Sequence, residues 1–174
     1  QGNYRVTVID IHTKTLENAL FKNIHFCPIK LQHLGKLKYL EFHRKVKATL
    51  KQNQYDVIIS GDLYSLSAVC AFHKKTKKII YDCREIYFEL AAHINKPIYK
   101  YWNYKFERHY LQYVDQIMVT ANTDLHYLKE TYQKFKNLKW NIIYNYPYNF
   151  KKIDNTPSIH FNKNNMKIIY QGVL

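Results

Sequence analysis

The chain has 174 residues, and 27 Lys and Arg against 13 Asp and Glu give a formal net charge of +14. Apolar residues at 47% and aromatics at 16% exclude a disordered chain and are enough for one packed domain. No apolar run is long enough to span a membrane, and three cysteines (Cys27, Cys70, Cys83) with no CxxC pair exclude a disulfide scaffold.

The basic residues are 23 Lys and only four Arg. Lys, Asn, Ile and Tyr all have AT-rich codons, so a low-GC genome accounts for part of the excess charge. The remainder favours an anionic partner: nucleic acid, an acidic membrane surface or a diphosphate. Gln1-Gly2-Asn3-Tyr4 runs directly into Val6, Val8 and Ile9 with no apolar signal region. The expectation is a reduced protein on the cytoplasmic side.

Tyr4 to Asp10 reads as a short buried strand, and Ile24 to Ile29 as a weaker one. Lys36 to Lys51 carries Leu37, Leu40, Val46 and Leu50 at helical spacing. Asp56 to Gly61 is a strand ending in a turn. Leu63 to Lys75 is a small-residue helix suited to packing on a sheet, and Lys78 to Asp82 is the next strand. A long helical stretch is expected from Glu85 to Val114, broken or kinked at Pro97. Gln116 to Thr120 is a strand, Asn122-Thr123-Asp124 caps a helix running to Tyr132, and Asn141 to Asn145 is a strand. Residues 149–165 read as a linker, and Met166 to Gly172 as a further strand. Alternation of β and α with near-continuous apolar strands predicts an α/β fold, a parallel sheet with helices on both faces.

Ligands of open α/β sheets bind at the carboxyl ends of the strands. Those ends carry Asp62, then Asp82-Cys83-Arg84-Glu85, then Thr120-Ala121-Asn122, then Asn145. Asp62 and Asp82 also suit helix caps. Glu85 and Glu89 fall on one helical face, either as a surface pair or as ligand contacts. Cys83 is either activated by Arg84 or a buried thiol. There is no GxGxxG, Walker loop, HExxH or GxSxG.

Tyr55-Asp56-Val57-Ile58-Ile59, Asp62-Leu63-Tyr64-Ser65-Leu66 and Ile79-Ile80-Tyr81-Asp82-Cys83-Arg84-Glu85 with Glu89 resemble the N-terminal domain of GT-B glycosyltransferases, most like family 4. Asp115 to Thr120 resembles the family's D-x-hydrophobic-hydrophobic-T strand, and Ile143-Tyr144-Asn145-Tyr146-Pro147 its Y-N-x-P strand. Ile169-Tyr170-Gln171-Gly172-Val173-Leu174 resembles the Y-x-G-x-L that opens the second domain. The resemblance begins at about Tyr55, and the order of segments carries it more than any one motif.

This resemblance implies a Rossmann-like N-terminal domain over 1–148, a linker over 149–165, and over 166–174 the first strand of a donor-binding domain cut short at Leu174. The enzyme would be retaining and metal-independent. It would take a sugar from a nucleotide-sugar, with no other cofactor, to a glycan or lipid-linked acceptor. Helix N-termini and basic groups would hold the donor diphosphate. Those groups lie beyond Leu174 in the family pattern, so the chain alone is expected to be inactive. The resemblance marks Arg84 and Glu85 as catalytic candidates, and Asp62, Asp82, Thr120, Asn122, Asn145 and Gly172 as substrate-binding ones.

Arg84 departs from the pattern, where many relatives have His. A guanidinium cannot accept a hydrogen bond, but it can clamp a phosphate or carboxylate. Gly61 replaces a frequent His. A first strand with its Gly-rich loop is expected before Gln1. The alternatives are a GT-B-like 2-epimerase, which needs cleft groups for proton transfer, and a basic nucleic-acid binder. The second is prompted by the charge and 17 tyrosines, but no RNA-binding motif is present and no nucleic acid is expected as a partner. Two segments are expected to meet the inner face of an anionic membrane peripherally: Lys36 to Lys51, and Ile98 to Tyr113 with Tyr99, Tyr101, Trp102, Tyr104 and Phe106.

Overall fold

The computed structural model describes residues 4–11, 24–35 and 37–145. The chain divides into two units, Gln1–Tyr144 and Asn145–Leu174, and Asn145 is the one described residue of the second. The expected linker over 149–165, the strand over 166–174 and Gly172 lie outside the described residues.

Two parallel sheets form the first unit. In the smaller, β1 (Val6–Asp10) pairs with β2 (Ile24–Pro28), Val6 opposite Ile24. Gly35, at φ 62°, turns the chain ahead of α1 (Leu37–Leu50). The larger sheet has four strands in sequence order: β3 (Val57–Ser60), β4 (Lys78–Cys83), β5 (Gln116–Val119) and β6 (Lys139–Ile142). The crossovers are α2 (Leu63–Cys70), α3 (Pro97–Tyr110) and α4 (Asn122–Thr131). All neighbouring strands are parallel. The fold class is therefore the expected one, a Rossmann-like parallel α/β domain flanked by helices.

Burial follows the two-residue period of the strands. Ile58 and Ser60, then Ile79, Tyr81 and Cys83, then Ile117 and Val119 are buried. They pack with Leu63, Leu66 and Val69 of α2, Leu111, Leu128 and Tyr132 in one core. Each fully buried Leu or Ile contributes about 1.5–3 kcal/mol, which is why this face fixes the register. On the other face Val57 is 47% and Ile59 56% exposed. Coverage of β3 among the described residues is thus one-sided.

Asp115 ties β5 to β4. Its Oδ2 accepts from the Ile79 N–H at 2.7 Å, and its own N–H donates to the Ile79 carbonyl. The acid of the D-x-hydrophobic pattern is a strand anchor here.

Three local expectations are corrected. No helix runs from Glu85. The segment takes short 3-10 turns at Tyr87–Glu89 and Ala91–His93, and Pro97 starts α3 instead of kinking a longer helix. Proline at the first helical position loses nothing, because that N–H has no intrahelical partner. Glu85 and Glu89 therefore do not share a helical face. Asn122 is the first residue of α4, not its cap: Ala121 holds the cap position with no side-chain bond. Finally, β6 begins two residues before the expected strand, because half-buried Trp140 is inside the ladder, donating its indole N–H to the Phe135 carbonyl.

Candidate active site

The strand order places Asp62 and Thr120-Ala121-Asn122 just past the carboxyl ends of β3 and β5, and between them Asp82 and Cys83 as the last residues of β4 with Arg84 and Glu85 just past its end. These sequence-selected residues thus share one sheet edge. Tyr144 extends the row past β6, where its hydroxyl accepts from Asn122 Nδ2 at 3.2 Å. Asn145 is exposed and belongs to the second unit.

Asp62 is the N-cap of α2. Its Oδ1 accepts from the Ser65 N–H at 2.7 Å and from the Ser65 hydroxyl at 2.8 Å. Extended backbone at Asp62 and the small Ser65 three residues on make this geometry available. Ser60, fully buried at the end of β3, shares its hydroxyl with Ser65 at 2.8 Å and donates to the Asp62 carbonyl. The cap uses one carboxylate oxygen and holds the group beside the sheet edge.

Asp82 is half-buried and caps no helix. It accepts from Arg84 Nε at 2.8 Å, and most of the Arg84 side chain is in solvent. The Asp82 hydrogen bond raises the already high pKa of the guanidinium further. Arg84 is thus a fixed cation held at the strand end by its own neighbour. Glu85 is exposed beside it. The Cys83 thiol points the other way, into the core. It is buried, donates toward the Glu85 carbonyl and toward Glu107, and burial and the Glu107 charge push its pKa well up. Arg84 does not activate it.

Thr120 donates to Asp124 Oδ2 at 3.2 Å, closing the first turn of α4 that Ala121 leaves uncapped. Glu89 joins the loop to two helices, taking the Lys100 ammonium at 2.5 Å and the Tyr127 hydroxyl at 3.3 Å.

Sequence reasoning missed four residues around this edge. Tyr39 of α1 stacks on Tyr64 of α2, and Tyr64 meets Tyr87 edge-on. Burial, then Asp62, raises the Tyr87 phenol, so its hydroxyl stays protonated. Glu107 of α3 is buried under β4, where its oxygens accept from Tyr81 and Tyr132, each at 2.6 Å. Only the Glu in an otherwise aromatic and basic helix hinted at it. Among the described residues no group of three or more His, Cys, Asp or Glu side chains is arranged to hold a metal ion.

The family pattern described as Glycosyltransferase Family 4 matches residues 1–146. The chain belongs to glycosyltransferase family 4. The match spans most of the chain and reaches back to residue 1, well before the Tyr55 start of the sequence resemblance. No curated protein matches the chain. A family 4 glycosyltransferase domain acts with sugar donors and acceptors, and the edge just described is where this fold class offers a site.

Proposed function

We propose that this domain is the acceptor side of a retaining glycosyltransferase that moves a sugar from a nucleotide-sugar to a glycan or lipid-linked acceptor. The observation that carries the reading is the row of polar side chains from Asp62 through Asp82, Arg84 and Glu85 to Thr120 and Asn122, along one carboxyl edge of a family 4 sheet. Hydroxyl-rich acceptors need both acceptor and donor groups, and this row supplies carboxylates, a guanidinium, a hydroxyl and an amide. Arg84 suits an acceptor phosphate or carboxylate, or the charge that develops on the leaving diphosphate. Donor binding would fall to a second domain, whose opening strand the pattern from Met166 onward resembles. On its own the chain would bind acceptor and not transfer.

The test is to express the natural reading frame and measure nucleoside diphosphate release from UDP- and GDP-sugars, with glycan and lipid-linked acceptor pools. Product anomers are then assigned by NMR. Acceptor-dependent release with retained configuration supports the reading. Conversion of the nucleotide-sugar to its C2 epimer without acceptor would replace it with the epimerase. Arg84→Ala should lower transfer without lowering stability, and unchanged kinetics would remove Arg84 from the site.

The acceptor reading extends to an anionic membrane surface on the inner face. Its support is α3, where Ile98, Tyr101, Trp102 and Lys105 follow one another at helical spacing and are all exposed, with Trp102 at 65%. Arg108 continues the basic side, and Lys105 lies over the Tyr101 ring at 5.3 Å. Tryptophan and tyrosine flanked by lysine suit the headgroup layer. In the other expected segment Lys45 is engaged with Glu41 at 2.6 Å and with the Lys30 carbonyl, which favours α3. No described helix is long and apolar enough to cross a membrane.

A further inference from the structure

Tyr39 and Tyr64 stand in the first turns of α1 and α2, and Asp62 at the end of β3 caps the second of these helices. Their ring centroids are 4.8 Å apart at an interplanar angle of 26°, and both residues are 42% exposed. The helices also meet through buried Val46 and Leu50, and through His43 Nδ1 with the Ser67 hydroxyl at 2.8 Å. The aromatic pair lies at the solvent rim of that interface. Tyr87, buried behind it, holds Tyr64 edge-on at 5.9 Å and 81°.

Asp62 caps α2 two residues before Tyr64, and burial, then Tyr39, Asp62 and Glu85, raise the Tyr64 phenol. The Asp62 cap bonds both fall on Oδ1, and Glu85 is exposed. Over Tyr39 sits the Lys38 ammonium, 5.1 Å from the ring centroid. Such a cation–π contact at an exposed site is worth about 0.5–1 kcal/mol, small enough for a better occupant to displace.

A flat, half-exposed aromatic surface beside hydrogen-bond acceptors fits one ligand class. A pyranose ring presents polarised C–H groups on one face and hydroxyl donors at its rim. The aromatic face carries the negative end of the ring quadrupole, which attracts those C–H groups, and carboxylates accept from the hydroxyls. We propose that the outer face of Tyr39, backed by the stacked Tyr64 ring, is the platform on which the acceptor's terminal pyranose lies, its ring replacing the Lys38 ammonium and its rim hydroxyls donating toward Asp62 and Glu85. This inference rests on the acceptor-side reading above and adds to it the chemical class of the acceptor terminus and two residues that select it.

The test is saturation-transfer NMR on the 174-residue chain with methyl β-D-glucopyranoside, methyl β-D-galactopyranoside and methyl α-D-mannopyranoside as probes. Transfer to the ring C–H protons is expected for at least one of them. Tyr39→Leu and Tyr64→Leu keep apolar volume but remove the π face, and each should weaken binding about 2- to 10-fold, the range of an aromatic contact. Tyr39→Phe and Tyr64→Phe should bind as the parent does. Amide NMR spectra of all four variants confirm folding, and a Leu variant that fails to fold is replaced by the Met variant at the same position. No transfer from any probe overturns the proposal, and so does parent-like binding by the folded Leu or Met variants. Failure of nucleoside diphosphate release would count against glycosyl transfer alone. Release with KM for acceptor unchanged in the Tyr64→Leu enzyme would count against the platform alone.

Discussion

Tyr81 of β4 donates its hydroxyl hydrogen to Oε1 of Glu107 in α3 at 2.6 Å, and Glu107 is 1% exposed. Tyr132 occupies the other oxygen at the same distance, and the Cys83 thiol approaches Oε1 at 3.7 Å. One carboxyl therefore ties the strand that carries Asp82 and leads into Arg84 to the helix layer beneath it. A buried acid with every partner in place specifies an arrangement, and the same acid stripped of partners destabilises it.

Burial raises the Glu107 pKa above the ordinary carboxyl value, with the two phenols and the thiol acting against that rise. The folded state thus favours the proton. Its stabilising effect is complete below the unfolded pKa, about 4.3, and is lost as pH rises through the folded value. Glu107→Gln mimics the protonated form at every pH. The stability advantage of the parent over this variant should shrink as pH rises from about 4 to 8, read by urea unfolding at each pH. A constant difference would place the proton elsewhere. Glu107→Ala should cost about 2–4 kcal/mol, because two buried phenols lose their acceptor.

Glu41 behaves in the opposite sense. It is buried in α1, paired with Lys45 at 2.6 Å, and receives the Gln32 and His33 N–H groups at 2.9 Å. The Lys45 hydrogen bond, then the His33 N–H, hold its pKa well below the usual carboxylate range. Its contribution is present above the unfolded pKa and is lost as pH falls through the folded value. Glu41→Gln should destabilise the protein near neutral pH and lose that effect in strong acid. Thermal melts along an acid series check the direction.

Asp62→Ala removes the α2 cap and should cost about 1 kcal/mol, seen as a melting-temperature fall of about 2–4 °C. Asp62→Asn preserves a side-chain oxygen for the Ser65 N–H and should recover most of that loss. If both variants melt alike, the cap bond contributes nothing measurable.

Membrane contact through α3 predicts that the chain co-sediments with anionic phosphatidylglycerol vesicles at low salt and is released as salt rises. Neutral phosphatidylcholine vesicles should not retain it. Ile98→Ser together with Trp102→Ser should abolish retention, whereas Leu37→Ser with Leu40→Ser should spare it. Absence of binding to anionic vesicles at low salt would make the charge purely compositional.

What the sequence disclosed depended on how local the cause was. Strands β3, β4 and β5 were legible because runs such as Val57-Ile58-Ile59 and Ile79-Ile80-Tyr81 are β-branched and continuous. The sheet edge followed from them, since topology alone puts Asp62, Arg84 and Thr120 past strand ends. The start of α3 was misplaced because apolar periodicity continues through 3-10 turns from Tyr87, and Pro97 fits the start of a helix as well as its end. Trp140 hid the start of β6 by following a lysine. Glu107 and the Tyr39–Tyr64 stack were invisible for a different reason. Their partners lie 25 or 26 residues away on other elements, and no spacing rule reaches that far.

The three thiols also sort the chain by reactivity. Thiolate is the species that alkylating reagents attack. Burial pushes Cys70 up to about 12, Cys83 is raised as well, and both are sealed in the core. Cys27, in the separate two-stranded sheet, is only half-buried. Iodoacetamide should therefore mark Cys27 first, while Cys70 and Cys83 wait for the helix layer to lift from the four-stranded sheet. Mass spectrometry of the labelled chain then becomes a stopwatch for the opening of that layer, read separately from β1 and β2 and with no probe added to the sequence.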